Sequence, residues 1–564
     1  MNRTEPERLD ALRVALGDPA EADNPVGNAA ALAVDERGEA FVAGERLLDA
    51  FGFPAEFVPA HLGGRLTRLD HMIHIARTVG RRDLALAFGY SGSTFIASTN
   101  VWTAGSPAQQ RAVADLVLGG GRVAAGYHEL AHGNDVARAE LSARRAGDTL
   151  VLDGRKEVIS NLARADLLVL YARTGTPLGP RSHSLLLVDL TAATGDTALR
   201  LLPRFRSAGM RSVQLGGIEF DGYRLPAGHV LGRFGDGVLT ATRAFQVTRT
   251  ALPAIACAGL DGALREAMSL ATSRHLGRGV IADLPQVRRL LVDAFVDLLV
   301  CDAFTTVGAR ALHLLPQQTT IVSSAIKYLV PHLLLRAVRS LSTLLGSTFY
   351  VRNGRHGMFQ KHLRDLAPAG FGHMAPKASL AMLVPQMQQL VRRGWSTPEP
   401  ADPLLFRLSH DLPDLRYHQL AMSSNGRDAL GGTLLAESDA ILAAAAGDAE
   451  LRRVIGAHLA DFAALRRTVA DLPAGRNGPL PASSYDLADR YSRLLAASAC
   501  IGVWRGSDGR SFLGSPQWLT AALSRLTVQY RPGRDVDQRT ASLWPELHSR
   551  HVAMRTFDLA EHAA

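Results

Sequence analysis

The chain has 564 residues, 47% of them apolar and 20% charged, an ordinary globular mixture that excludes a disordered or fibrous protein. Single cores stop growing at roughly 250 to 300 residues, so several domains are expected. The net charge of +9 is carried almost wholly by arginine, with lysine only at Lys156, Lys327, Lys361 and Lys377. The arginines are scattered along helix-like segments instead of forming an aromatic-interleaved stripe, which argues against nucleic-acid binding.

From Glu45 to about Leu118 the apolar spacing is helical, with Leu66, Leu69, Met72, Ile73 and Ala76 on one face. At Gly119-Gly120-Gly121 the pattern changes to short β-prone runs: Thr149 to Leu152, Leu167 to Tyr171, Leu185 to Val188 and Val213 to Phe220. The turn dipeptides Asp153-Gly154 and Asp221-Gly222 suggest a compact antiparallel sheet. Helical periodicity returns near Gly237 and persists to about Arg393, as expected of a bundle. The Pro-rich stretch from Thr397 to Pro403 then marks a boundary, followed by helices at Ser438 to Leu472, Asp486 to Val503 and Gln517 to Val528. The expected class is α+β, mainly α. Its domains are an N-terminal helical domain (1–120), a β-sheet domain (121–235), a helical bundle (236–395) and a C-terminal helical extension (396–564).

No apolar run approaches the roughly 18 uncharged residues of a spanning helix, and Met1 to Arg13 mixes acids and arginines where a leader would be apolar. A cytoplasmic protein is expected. Cys257, Cys301 and Cys500 lie far apart in apolar helix-like surroundings and read as buried thiols.

The order helical domain, sheet, bundle comes with specific residues. Tyr127-His-Glu-Leu-Ala-His-Gly-Asn-Asp-Val136 resembles the Thr-Glu-Pro-Gly-Ala-Gly-Ser-Asp-Val run of acyl-CoA dehydrogenases, with Glu129, Gly133, Asp135 and Val136 at matching spacing. Gly147 to Lys156 is similar to that family's strand-turn-strand, and Ile159-Ser-Asn161 to its Ile-Thr-Asn. Gly209-Met-Arg211, Ile218 to Asp221, Arg224-Leu-Pro226, Val230-Leu-Gly232 and Gly235-Asp-Gly237 follow in order.

The resemblance implies an FAD-dependent oxidoreductase acting on an acyl thioester of coenzyme A or an acyl carrier protein, assembled as a homodimer. It implies that Tyr127, His128, Asn134, Ser160 and Asn161 lie around the flavin, with the Ser160 hydroxyl donating to N5. It also implies that Arg274 reaches the dinucleotide phosphates, a task that suits a guanidinium. Val158 stands where the family has tryptophan beside the flavin, and Leu345 to Tyr350 replaces a Gly-Gly-Tyr-Gly turn.

Removal of the substrate α-proton needs a base. The family's glutamate follows an Arg-Asp pair, here Arg364-Asp365, and counting forward reaches His373; the family's other location for the base is Thr248. Neither is a carboxylate. His373 and Arg249 are therefore the candidate catalytic residues, because an imidazole near neutrality can take a proton. Flavin-dependent oxygenation or N-oxidation and a flavin-free scaffold stand as alternatives. A third is a zinc hydrolase, since His128-Glu-Leu-Ala-His132 spells the zinc motif His-Glu-x-x-His; that motif requires a helix, whereas the flanking glycines point to a turn.

Overall fold

The computed structural model describes residues 4–562 except 134, 194, 372–374, 473–480, 510 and 528–534. Two compact units emerge, Met1–Thr248 with Leu415–Met422, and Arg249–Asp414 with Ser423–Ala564.

The first unit opens with helices α1 (Glu5–Leu16), α2 (Asn28–Arg37), α3 (Val42–Phe51), α4 (Leu69–Arg82), the single turn α5 (Leu84–Leu86), α6 (Ser93–Ala104) and α7 (Pro107–Leu118). The apolar face read from the sequence of α4 is the buried one: Leu69, Met72, Ile73 and Ala76 are all out of solvent. The start of α7 is set by a reciprocal cap, in which Ser106 Oγ accepts from Gln109 N at 3.2 Å and Gln109 Oε1 accepts from Ser106 N at 2.9 Å. Pro107 at the first helical position costs no hydrogen bond there.

Strands β1 (Val123–Gly126), β2 (Ser142–Ala146), β3 (Thr149–Ser160), β4 (Leu167–Arg173), β5 (His183–Asp189), β6 (Leu199–Leu202), β7 (Leu215–Pro226) and β8 (Val230–Leu231) form one sheet. Its order is β6-β7-β3-β2-β4-β5-β8, with β1 also on β4. The expected antiparallel sheet is in fact mixed, since β1 runs parallel to β4 from Val123↔Leu167 to Gly126↔Leu170. The chain passes from β1 to β4 through β2 and β3, so a long crossover and not a hairpin joins this parallel pair. Leu150, Leu152, Leu168, Leu170, Ile218 and Phe220 fill the core on one face.

The long pair β3·β7 carries the features that matter below. It runs antiparallel from Thr149↔Pro226 to Ser160↔Leu215 and loses register between Lys156 and Ile159. Val158, inside that irregularity, sits at φ 61, and Asn161, just past the strand, at φ 56. Both are left-handed conformations that side-chain-bearing residues adopt rarely. At Gly154, φ is 116 and an added Cβ would lie 2.9 Å from Leu141 Cα, so only glycine fits that bend. The segment Leu415–Met422 returns to this unit, where Arg243 Nε and Gln246 Nε2, both on the first part of α8 (Gly237–Ser273), donate to the carbonyls of Leu420 and Ala421.

The second unit takes the rest of α8 and adds α9 (Pro285–Leu314), α10 (Thr319–Leu345), α11 (Gly357–Phe371) and α12 (Pro376–Arg392). The extension follows with α13 (Ala429–Ala436), α14 (Ser438–Ala444), α15 (Ala449–Ala470), α16 (Ala482–Gly506), α17 (Pro516–Leu526) and α18 (Asp535–Val552). Helix α9 is buried without interruption from Val296 to His313, the mark of a helix surrounded by others. Its Arg310 is fully buried and donates to carbonyls of Leu404, Leu405, Arg407, Leu408 and His410, which ties down the chain after the Pro-rich boundary.

The sequence contained a long apolar helix that run-counting passed over. Thr319–Tyr350 has the length and composition of a membrane span, and 83% of its apolar window is buried within the protein. Lys327 interrupts the run of uncharged residues without lowering its mean hydropathy enough to disqualify it.

Candidate functional site

The turn between β1 and β2 is built around one buried ion pair. Glu129 Oε1 lies 2.8 Å from Lys156 Nζ, and the lysine is fully buried. The carboxylate also accepts from Glu140 N at 2.8 Å and Leu141 N at 3.0 Å, while Lys156 donates to Tyr127 O at 3.1 Å. Burial pushes the Glu129 carboxyl up, but the lysine and the two backbone donors outweigh it and hold the group below its usual range. Beside this knot Leu130 N donates to Glu157 Oε2 at 2.9 Å, and Glu157 N to His128 O at 3.0 Å. The turn is thus stitched to the irregular part of β3.

The sequence-predicted site residues fall into two groups. Tyr127 and Asn161 are satisfied inside the first unit. The Tyr127 hydroxyl donates to Asn100 Oδ1 at 2.7 Å, and its ring stacks on Tyr171 at 5.4 Å. Asn161 donates from Nδ2 to Gly89 O and Ser93 Oγ and accepts at Oδ1 from Gln214 N at 3.3 Å. Its side chain pins the end of β3 to the π-helical turn Ala87–Gly92 and the start of β7. By contrast, the Ser160 hydroxyl is half-buried and makes no hydrogen bond among the described residues. His128 is half-buried, donates from Nδ1 to Gly133 O at 3.2 Å, and is kept neutral by burial. Asn134 lies outside the described residues.

The zinc alternative meets its correction here. Residues 127–133 form a coil and a turn instead of a helix, so His128 and His132 are not set one turn apart on a common face. His128 is engaged with Gly133 O, and His132 Nε2 lies 3.3 Å from Glu140 and 3.8 Å from Glu129. Glu129 itself is held by Lys156.

In the second unit, Arg249 is buried on α8 and directs Nη1 to Met382 Sδ at 3.0 Å. Burial lowers its guanidinium to about 10. Lys327 on α10 is also buried, and burial together with the charge of Arg249 brings it down to about 7. Thr320, Ser324 and Lys327 follow one another at helical spacing along α10. The hydroxyls of Thr320, Ser324 and, on α12, Ser379 are buried with no hydrogen-bond partner among the described residues. Arg274 is exposed and donates to Thr348 Oγ1 at 2.6 Å, within the Gly346–Tyr350 turn. His373 lies outside the described residues; Thr248 is fully buried, its hydroxyl 3.4 Å from Phe245 O.

Residues 124–223 match the family model of the acyl-CoA dehydrogenase middle domain, and residues 235–371 that of its C-terminal domain. Residues 124–371 thus belong to the acyl-CoA dehydrogenase superfamily. The very long-chain specific acyl-CoA dehydrogenase of Rattus norvegicus mitochondria is 27% identical over 266 residues, which is 46% of this chain but only 38% of that protein. Two solved structures share the fold. Butyryl-CoA dehydrogenase from Megasphaera elsdenii superposes with a TM-score of 0.60 at 18% identity, over 68% of this chain and 97% of that one. The prolyl acyl carrier protein oxidase AnaB gives 0.61 at 17%, over 68% and 99%.

Within this superfamily, whose members are FAD-binding flavoproteins, the sequence reading missed two things. It named Glu129 as a matched position without assigning its partner Lys156, and it passed over Lys327. One signal was available for both, the scarcity of lysine in an arginine-rich chain; in the structure three of the four, Lys156, Lys327 and Lys361, are buried.

Proposed function

We propose that the chain is an FAD-dependent oxidoreductase acting on an acyl group carried as a thioester by coenzyme A or an acyl carrier protein, and that it works as a cytoplasmic homodimer. The observation that carries this reading is the succession of the family's sheet and bundle domains with an unengaged Ser160 hydroxyl at the end of β3. That hydroxyl is a donor suited to a flavin ring nitrogen. Arg274, bonded to a neutral threonine and with no acidic partner among the described residues, suits the dinucleotide phosphates. His128 and Asn134 complete the proposed lining, while Tyr127 and Asn161 hold β3 in place beneath it. When bound, the flavin supplies an acceptor for the substrate's β-hydride.

In this reading the imidazole of His373 takes the α-proton, since neither of the family's base positions holds a carboxylate. Arg249 stays cationic at neutral pH even with its guanidinium lowered to about 10, and its charge favours the anion formed as that proton leaves. The net charge of +9 suits the phosphates of the coenzyme as well as an acidic carrier protein. The missing carboxylate also favours a second reading, flavin-dependent oxygenation or N-oxidation, which needs no α-proton removal.

Anaerobic mixing of the FAD-loaded protein with acyl thioesters separates the two. Bleaching of the flavin, slowed about 10²- to 10⁴-fold in His373→Ala, supports the dehydrogenase. Flavin that binds but is never reduced by any acyl thioester contradicts it.

A further inference from the structure

A cavity of about 500 Å³ in the first unit belongs to no part of the proposed flavin chemistry. It opens between the end of α2 and the loop after β6, and its polar lining is Glu36, Arg37, Arg204, Arg206, Ser207 and Arg211. The lining thus carries four arginines and one glutamate; one of the four, Arg37, is already paired with Glu39 at 2.7 Å.

The local structure explains why the arginines are held there. Helix α2 ends at Gly38, left-handed at φ 64, which turns the chain and exposes the last carbonyls of the helix. Arg204 donates from Nη1 to Gly38 O and from Nη2 to Arg211 O at 2.6 Å, and Arg211 donates from Nη2 to Glu36 O at 3.0 Å. Backbone carbonyls orient the Arg204 fork without neutralising it. Arg211 is the better compensated, with its Nη1 at 3.5 Å from Glu36 and 3.8 Å from Asp35. Arg206 is exposed and has no acidic partner among the described residues. The Ser207 hydroxyl is out of solvent with no hydrogen-bond partner among them. Burial lowers the guanidinium of Arg204, a cost that a bound anion would offset.

We propose that this cavity binds the phosphates of a nucleotide-sized ligand, with the Arg204 and Arg206 guanidiniums and the Ser207 hydroxyl on the phosphate oxygens. Guanidinium forks match phosphate geometry bidentately. Cavities of roughly 300–1,000 Å³ enclose organic ligands, so inorganic phosphate alone would leave most of this one empty. Glu36 supplies an acceptor for a hydroxyl or amino group on the same ligand. The concave shape and oriented forks favour a small ligand over the face of an acidic protein.

Titration calorimetry of the full chain with ADP, with and without saturating FAD, tests the proposal. Arg206→Gln is the primary variant, because that side chain holds nothing else in place; Arg204→Gln is the second. The expected result is one saturable ADP site that persists in FAD, no heat with adenosine, and binding weakened about tenfold or more by either substitution, the equivalent of one lost charge-assisted hydrogen bond. Equal ADP affinity in wild type and both variants overturns the assignment. So does ADP binding abolished by FAD but untouched by Arg206→Gln, which would place the nucleotide in the flavin site. Failure of FAD to bind would count against the proposed oxidoreductase and leave the ADP result readable on its own.

Discussion

Each unit buries a cluster of polar groups, and the two clusters are built on different terms. Around Glu129 and Lys156 each charge meets its opposite at 2.8 Å, and the remaining acceptor capacity is filled by the N–H groups of Glu140 and Leu141. In the second unit, Arg249 on α8 and Lys327 on α10 are buried near each other, and the hydroxyls of Thr320 and Ser324 on α10 and of Ser379 on α12 have hydrogen-bonding capacity left open. Buried polar groups that satisfy one another hold a shape. Groups left open are costly for the fold and are kept where something else must bind or react. The best-matched family motif in this chain thus holds a self-satisfied ion pair, while the bundle interior holds buried hydroxyls without partners among the described residues.

The sharpest way to break that contrast is Glu129→Ala. It strands a fully buried lysine and two backbone donors, so denaturant unfolding is expected to show a loss of about 3–5 kcal/mol. A loss no larger than that of an ordinary surface substitution would mean the pair is not the scaffold it resembles.

Lys327→Met tests the other side through pH. The folded lysine titrates at about 7 against an ordinary 10.5. Between those values the unfolded chain binds more protons, so the wild type gains stability as pH rises through that window and loses it as pH falls toward about 7. Methionine has no such dependence. Melting temperatures should therefore show the stability of the wild type relative to the variant increasing steadily from pH 7 to pH 10; parallel curves would place the lysine charge outside the buried interior.

How much of this was readable from sequence follows the same division. The face of α4 was readable, because burial periodicity is local; Asp153-Gly154 and Asp221-Gly222, expected as turns, instead lie inside the continuous strands β3 and β7 beside a register shift, where the residue pairs mark a bulge and not a chain reversal. The parallel pairing of β1 was not, since a crossover leaves no turn signature. Asn161 was assigned to the flavin by analogy, whereas its partners Gly89 and Gln214 lie 72 and 53 residues away in the chain. Only folding reveals that its amide is already engaged.

Two smaller effects sharpen the split between Asn161 and Ser160. Asn161→Ala leaves Gln214 N–H and Gly89 O without that partner and should cost about 1–3 kcal/mol in stability. Ser160→Ala, which breaks no hydrogen bond among the described residues, should leave stability unchanged and weaken FAD binding by about 1 kcal/mol, roughly fivefold. The reverse assignment of effects, measured by unfolding and by flavin titration, would exchange the two roles.

The central claim is that this chain is a flavin enzyme and not a fold kept for another purpose. The visible absorption spectrum of the purified protein, before and after addition of FAD and removal of the excess, tests it most directly. Flavin bands retained at one FAD per chain, with maxima shifted from those of free FAD, are the predicted result. A protein that stays colourless after that treatment contradicts the account.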